Sequence, residues 1–257
     1  MFAIAAGMST FLQLYDEVVK TCSFVSMSDD LNQRLGLSCT LGDISTLIEK
    51  LESLDNADLI DDAGDMIDFY WRLRTSISDA LVASGQKAVG PLLSALSKPN
   101  EQAAQYVARS LGLLKSKEAI EPIIRRMQAV TESADRLAYI AALGEIGDSR
   151  IIEVLVPYLS WPGEVNRGWL VRLSAVALGK TGNESVRDRL IDVLRDDVQW
   201  PARLGAAEGL GLLGSRKALP ALHEALGDKD HRVAEAVKES ISQIRSRKSW
   251  WRPRRDG

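Results

Sequence analysis

The sequence predicts an all-α fold: a right-handed α-solenoid of about five helix pairs behind an atypical helical N-terminal cap. Three observations carry this. First, one phrase returns along the chain, an Ala- and Leu-rich run that closes in small or polar residues and restarts at once as a second apolar run. It reads LVASGQKAVGPLLSAL, SLGLLKSKEAIEPIIRRM, AYIAALGEIGDSRIIEVLVPYL, ALGKTGNESVRDRLIDVL and GLGLLGSRKALPALHEAL. Second, the residue closing each first run (Leu81, Leu111, Leu143, Leu178, Leu210, Ile241) recurs at intervals of 30, 32, 35, 32 and 31. Third, apolar residues inside each run fall three or four apart, the helical spacing. A period of this size marks stacked supersecondary units, because so small a helix pair buries its apolar face only against its neighbours.

In chain order, residues 1–69 form the cap. Phe11, Leu14, Val18 and Val19 predict one helix, and residues 23–40, rich in Ser, Asp and Gly, a loop. Ile44, Leu47, Ile48, Leu51 and Leu54 predict a second helix, and the acidic DNADLIDDAGDMID at 55–68 a third helix or helix–loop. Residues 70–246 hold the repeats. In the unit around Ala138, one face is Ala138, Ala141, Ala142 and Ile146. Gly147 stops that helix without a Cβ penalty, and Asp148 or Ser149 caps the next. Ile151, Ile152, Leu155 and Leu159 then form the second face. Gly112, Gly144, Gly179 and Gly211 let neighbouring helices approach closely. Pro91, Pro122 and Pro220 fall in the first turn of second helices, where a missing N–H costs little; Pro157 falls later and should shorten its helix. One more helix, about 231–246, closes the stack, and 247–257 is a basic tail with Trp250 and Trp251.

Composition sets bounds on function. The 257 residues are 46% hydrophobic and 26% charged, with a formal charge of −3, ordinary for a soluble globular chain. Eleven acids between Asp29 and Asp68 face only Arg34 and Lys50, whereas six basic residues from Arg245 onward face only Asp256. The body therefore lacks the clustered Lys and Arg of a nucleic-acid surface. Cys22 and Cys39 make no disulfide framework and no CxxC, which fits a reducing cytoplasmic compartment. The apolar MFAIAAG start lacks a basic flank and is short for a signal sequence, and Met8 is an alternative start. No apolar run approaches the roughly 18 residues of a membrane span.

The phrases WLVRLSAVALGKTGN (169–183) and WPARLGAAEGLGLLGS (200–215), followed by KALPALHEAL (217–226), resemble the HEAT-like repeats named after the phycobilisome lyases. The family phrase runs W-x-V-R-x-x-A-A-x-A-L-G-x-x-G-D, then A-(I/V)-x-P-L-x-x-x-L, and the likeness covers about residues 70–245. One departure is visible. Arg172 stands six residues before its Leu, whereas Arg136 and Arg203 stand seven before theirs. The resemblance implies a phycobilin lyase component or bilin chaperone. Such a protein holds a linear tetrapyrrole, phycocyanobilin or phycoerythrobilin, against an apo-phycobiliprotein whose own cysteine forms the thioether. It implies no tightly bound cofactor, and a partner that is a phycobiliprotein subunit or a second HEAT-like lyase chain. The other reading is a non-catalytic scaffold for a protein partner, for example in phycobilisome assembly or degradation.

Candidate site residues are weighed on both readings. The pairs Trp71/Arg74, Trp169/Arg172 and Trp200/Arg203 should fall along one edge of the stack, joined by Arg136. Aromatic faces and guanidiniums suit a flat acidic ligand; alternatively, Trp wedges between repeats while Arg bridges to an acid such as Asp196 or Asp135. The stretch SWPGEVNRGW (160–169), with Trp161, lengthens one repeat and reads as a projecting loop or a tolerated insertion. Second helices offer polar positions for a protein surface, among them Arg125, Arg126, Glu153, Arg187, Asp192, Arg195, His223 and Glu224. Asp58, Asp61, Asp62, Asp65 and Asp68 do not match a calcium loop, and His223 and His231 lack zinc-site spacing, so no metal is expected. No nucleophile elbow or phosphate loop is present, leaving catalytic residues unassigned.

Overall fold

The repeat period is realised as pairs of antiparallel helical segments, and the turns between them explain why. A computed structural model describes residues 41–53, 74–75, 77–98, 100–131, 133–160 and 166–246, all helix, turn or short connection. The expected helix near Phe11, the loop at 23–40, Leu54, the acidic stretch 55–68, Trp71, Trp161, the tail 247–257 and both cysteines lie outside the described residues. The chain divides into two compact units, at Pro122/Ile123.

In the first unit, α1 (Leu41–Ser53) buries Ile44, Leu47, Ile48 and Leu51 on one face, as their spacing predicts. A helical stretch at 77–83 buries Ile77, Ala80 and Leu81. A 3₁₀ turn (Gly85–Ala88) leads into α2 (Val89–Leu96), which packs on α3 (Glu101–Leu113). Asn100 caps α3, its Oδ1 accepting from the Ala103 amide at 2.8 Å, and its Nδ2 donates to the Glu52 carbonyl at 3.0 Å, tying α3 to the end of α1. The 3₁₀ turn Lys117–Ala119 begins the segment that continues as α4 (Ile120–Ala129), the helix in which the unit boundary falls.

In the second unit, α5 (Ser133–Ile146), α7 (Arg167–Lys180), α9 (Trp200–Leu213) and α11 (His231–Ser246) are first helices, and each packs on the next. Between them run α6 (Ile152–Leu155), α8 (Arg187–Asp196) and α10 (Leu219–Glu224). Helix α6 is a single turn that passes into the 3₁₀ segment Val156–Ser160, because Pro157 supplies no amide to continue the α ladder. Among the described residues no helix is long and apolar enough to cross a membrane.

One turn recurs five times. Gly85, Lys115, Gly147, Gly182 and Gly214 all have φ between 56° and 75°. Each ends a first helix and leads into a single 3₁₀ turn before the second helix, the turn starting at Gly85 itself in the first case and two residues on in the others, a feature that periodicity alone does not reveal. Asp148 and Asn183 start two of these turns by accepting from the amides of Arg150 and Ser185. Of these five residues, only Lys115 holds the left-handed conformation with a Cβ. Lys115→Gly is therefore expected to stabilise the chain by about 1 kcal/mol, the relieved left-handed penalty set against lost chain entropy. Denaturant titration checks this, and a destabilised variant would show that the lysine side chain outweighs the strain.

Candidate functional site

The expected Trp–Arg edge exists in the second unit, but its members do different work. Helix α7 carries Trp169, which is 42% exposed, and α9 carries Trp200. Their ring centroids lie 5.8 Å apart at an interplanar angle of 82°, an edge-to-face pair between adjacent repeats. Arg172 stands 5.4 Å from the Trp169 centroid, and Arg232 of α11 lies over Trp200 at 3.3 Å. Stacked guanidiniums and indoles of this kind attract through the ring quadrupole. The edge is thus a pair of facing indoles with a guanidinium at each end, spread across three repeats, and Trp169 presents the more open face.

Arg203 belongs to the interior. Its Nε and Nη2 donate to Asp228 at 2.7 and 2.8 Å, and its Nη1 donates to the carbonyls of Asp197 and Val198 at 3.0 and 3.3 Å. The side chain is buried with its carboxylate partner, so the residue proposed as a ligand group is a clamp on the loop between α8 and α9. Arg136 does the same in kind two repeats earlier, its Nη2 donating at 2.6 Å to the Val130 carbonyl six residues back, the separation between Arg203 and Asp197. Both stand seven residues before the Leu of their repeat. Arg172, one residue out of step, is turned by about 100° around its helix. It forks instead onto Glu208 of α9, at 3.0 and 3.2 Å. The acids that Arg203 and Arg172 bridge to are therefore Asp228 and Glu208.

The remaining expected residues are scattered. Arg74 lies half-buried in the first unit against Tyr106, whose phenol is pushed up by burial and partly eased by Arg74 and Arg109. His223 and Glu224 are exposed at the end of α10: Glu224 accepts from Arg195 at 2.6 Å, and His223 Nε2 lies 3.0 Å from Arg245. Together with Leu194, Asp197, Val198 and Lys229, Glu224 lines an open groove of about 510 Å³ between the ends of α8 and α10. Sequence reading missed Val198, Arg167, Lys229 and Arg232 as members of this edge. The available signal was an Asp just ahead of α9 and of α11: Asp197 takes Arg167 at 2.8 Å, and Asp230 takes Arg232 at 2.7 Å. Among the described residues no group of three His, Cys, Asp or Glu gathers as a metal site.

These pairs set a pH dependence. The Arg203 guanidinium holds the Asp228 carboxyl below its ordinary value, against the opposing effect of burial, and Arg232 holds Asp230 down to about 2. A carboxyl depressed in the folded state contributes stability that is full above its unfolded pKa, near 3.9, and is lost as pH falls through the folded value. Unfolding free energy is expected to stay flat from about pH 7 to 5 and to decline below about pH 4. A midpoint in denaturant that does not move down to pH 3 would contradict this.

The family comparison agrees with the architecture. The family model for HEAT repeats matches residues 89–174, 134–210 and 188–249, together more than half of the chain. Among solved structures the chain is similar to human deoxyhypusine hydroxylase in complex with glycerol, at 16% identity over 79% of this chain and 97% of that one, with a TM-score of 0.31. A likeness at that level says nothing about activity. No curated protein matches the chain.

Proposed function

The chain belongs to the HEAT-repeat family, and we propose that it is a non-catalytic scaffold that grips a protein partner on the edge formed by Trp169, Trp200 and Val198. The observation that carries this reading is the pairing of exposed apolar side chains with positions locked from beneath. Trp169 is braced by Trp200 and Arg172, and Val198 stands on a loop clamped by Arg203. Preorganised aromatic and Arg side chains of this kind dominate binding energy at protein interfaces. The resemblance to phycobilisome lyase repeats narrows the partner to a phycobiliprotein subunit or a second HEAT-like chain, met in the cytoplasm during phycobilisome assembly or turnover. A photocrosslinking residue placed at position 198 in the native host tests the scaffold. One defined adduct there, absent from a crosslinker at Lys217, is expected; no adduct at 198 would sink the reading.

A second reading, a bilin lyase component or bilin chaperone, is favoured by one observation, the open face of Trp169 beside the Arg172 cation. A linear tetrapyrrole would stack on the indole and place a propionate near the guanidinium, so that the chain acts by positioning pigment and acceptor thiol together. Titration with phycocyanobilin and phycoerythrobilin, followed by absorbance and circular dichroism, decides it. A saturable red shift lost in Trp169→Ala supports the pigment reading. No spectral change, with or without an acceptor subunit and a second HEAT-like chain, leaves the scaffold alone.

A further inference from the structure

We propose that the turn edge of the last repeats, together with the basic tail that follows it, seats the chain peripherally on an anionic membrane surface. In the second unit the first helices end, and the second helices begin, along one edge of the stack. The charge of that edge changes from repeat to repeat. Its first turn is rich in acid, with Glu145, Asp148 and Glu153 against Arg150. From the end of α7 onward cations prevail: Lys180, Arg187, Arg189, Arg216, Lys217 and Arg245 stand against Glu184 and Asp188.

The two acids do not neutralise this surplus. Both are taken by Arg187 alone, its Nη1 lying 2.9 Å from Glu184 and its Nε 2.8 Å from Asp188. Glu184 also accepts from Ser215 Oγ at 2.9 Å, which joins this turn to the one that carries Arg216 and Lys217. That next turn, GSRKALPA from Gly214 to Ala221, contains no acid. Arg189, Arg216 and Lys217 are exposed, and their side chains make no hydrogen bond or ion pair among the described residues. Helix α11 ends at the same edge with Arg245, and the sequence continues as RKSWWRPRRDG, five basic residues against Asp256 with Trp250 and Trp251 between them. All of this sits on a chain whose formal charge is −3, so the cations are concentrated at one end.

A bilayer fits this pattern better than a nucleic acid does. A planar anionic surface is met by cations on a single edge, and indoles settle at headgroup depth, so charge attraction and apolar burial add. A single strand is instead held in a groove where aromatic rings stack along successive bases. Lys180–Arg189, Gly214–Ala221 and Ser242–Ser246 contain no aromatic residue, and Trp169 and Trp200 lie at the opposite ends of α7 and α9. Seating by the turn edge therefore leaves the Trp169–Val198 edge directed away from the bilayer.

The test is flotation of the full chain with phosphatidylcholine vesicles, with and without about 30% phosphatidylglycerol. Binding to the anionic vesicles is expected to exceed binding to the neutral ones at least about tenfold, and to fall about tenfold between about 50 and about 500 mM salt. The double variant Arg216→Glu/Lys217→Glu, altered only at exposed positions, is expected to weaken it at least about tenfold with unchanged helix content. Trp250→Ser/Trp251→Ser is expected to weaken it by the same factor at both salt concentrations, because indole burial is not screened. No binding to anionic vesicles, equal binding to neutral ones or an unaffected charge-reversal variant would each overturn the inference, the last by leaving the tail as the sole anchor. An oligonucleotide bound more tightly than the vesicles at equal phosphate concentration would overturn it in favour of a nucleic-acid surface.

Discussion

Arg203→Ala is expected to destabilise the second unit by about 3–5 kcal/mol, the cost of removing one member of a buried ion pair. The size follows from what is left behind. Asp228 would remain buried without its fork of two N–H donors, and the carbonyls of Asp197 and Val198 would lose the Nη1 bonds that hold the loop ahead of α9. Burial then acts on Asp228 against the Asp230 amide alone, so the depression that Arg203 imposes on this carboxyl is relieved. The gap between variant and wild type should therefore narrow below about pH 4, where the wild type loses the stability that the depressed carboxyl contributes. Arg203→Lys should recover only part of the loss, since an ammonium cannot fork onto Asp228 and reach the loop carbonyls together. Equilibrium denaturation of the three proteins at two pH values decides the matter. A variant with wild-type stability and selectively weakened bilin binding would instead return Arg203 to a ligand site.

Much of the fold was legible because it is written in residues whose physics is local. Gly147 and Gly214 mark left-handed turns, Pro91, Pro122 and Pro220 fall in first turns of second segments, and Pro157 cuts α6 to a single turn. Helix α11 occupies the predicted 231–246. The 3₁₀ turn after each left-handed residue was not legible, since one turn of 3₁₀ and one of α carry the same apolar spacing. Lys115 hid its turn for a related reason: nothing in its chemistry announces a positive φ, and only its place in the period does.

The site was half legible. That Trp169 and Trp200 would meet followed from their period, but exposure depends on depth, which repeat spacing does not encode. Arg203 and Arg172 look alike in the phrase W-x-x-R. A single residue of helical phase sends one inward to Asp228 and the other across to Glu208. Val198 could not be singled out in advance, because its exposure comes from a loop whose shape is imposed by the Arg203 and Asp197 bonds on either side of it.

Gly179→Ala is expected to cost about 3 kcal/mol, toward the upper end for overpacking, because the added methyl has no room and nothing soft to push. Its Cβ would meet the backbone oxygen, carbon and Cα of Gly209, all of them main chain of α9. The contact is reciprocal: a Cβ on Gly209 would meet the Ala175 carbonyl, and one on Gly205 the Arg172 backbone, so α7 and α9 touch backbone to backbone along three positions. Relief requires the two helices to separate, and separation would also open the Trp169–Trp200 pair and stretch the Arg172–Glu208 fork at the end of the same interface. The comparison is Gly182→Ala, where φ is +66° but no atom lies within 4 Å of the new Cβ. That variant carries only the left-handed penalty, about 1 kcal/mol, and leaves the helices in place. Tryptophan fluorescence separates the two: a shifted emission is expected for Gly179→Ala and none for Gly182→Ala. Equal stability losses with unshifted spectra would mean that α7 and α9 do not approach at Gly179 as described, and the rigid support under Trp169 would go with that contact.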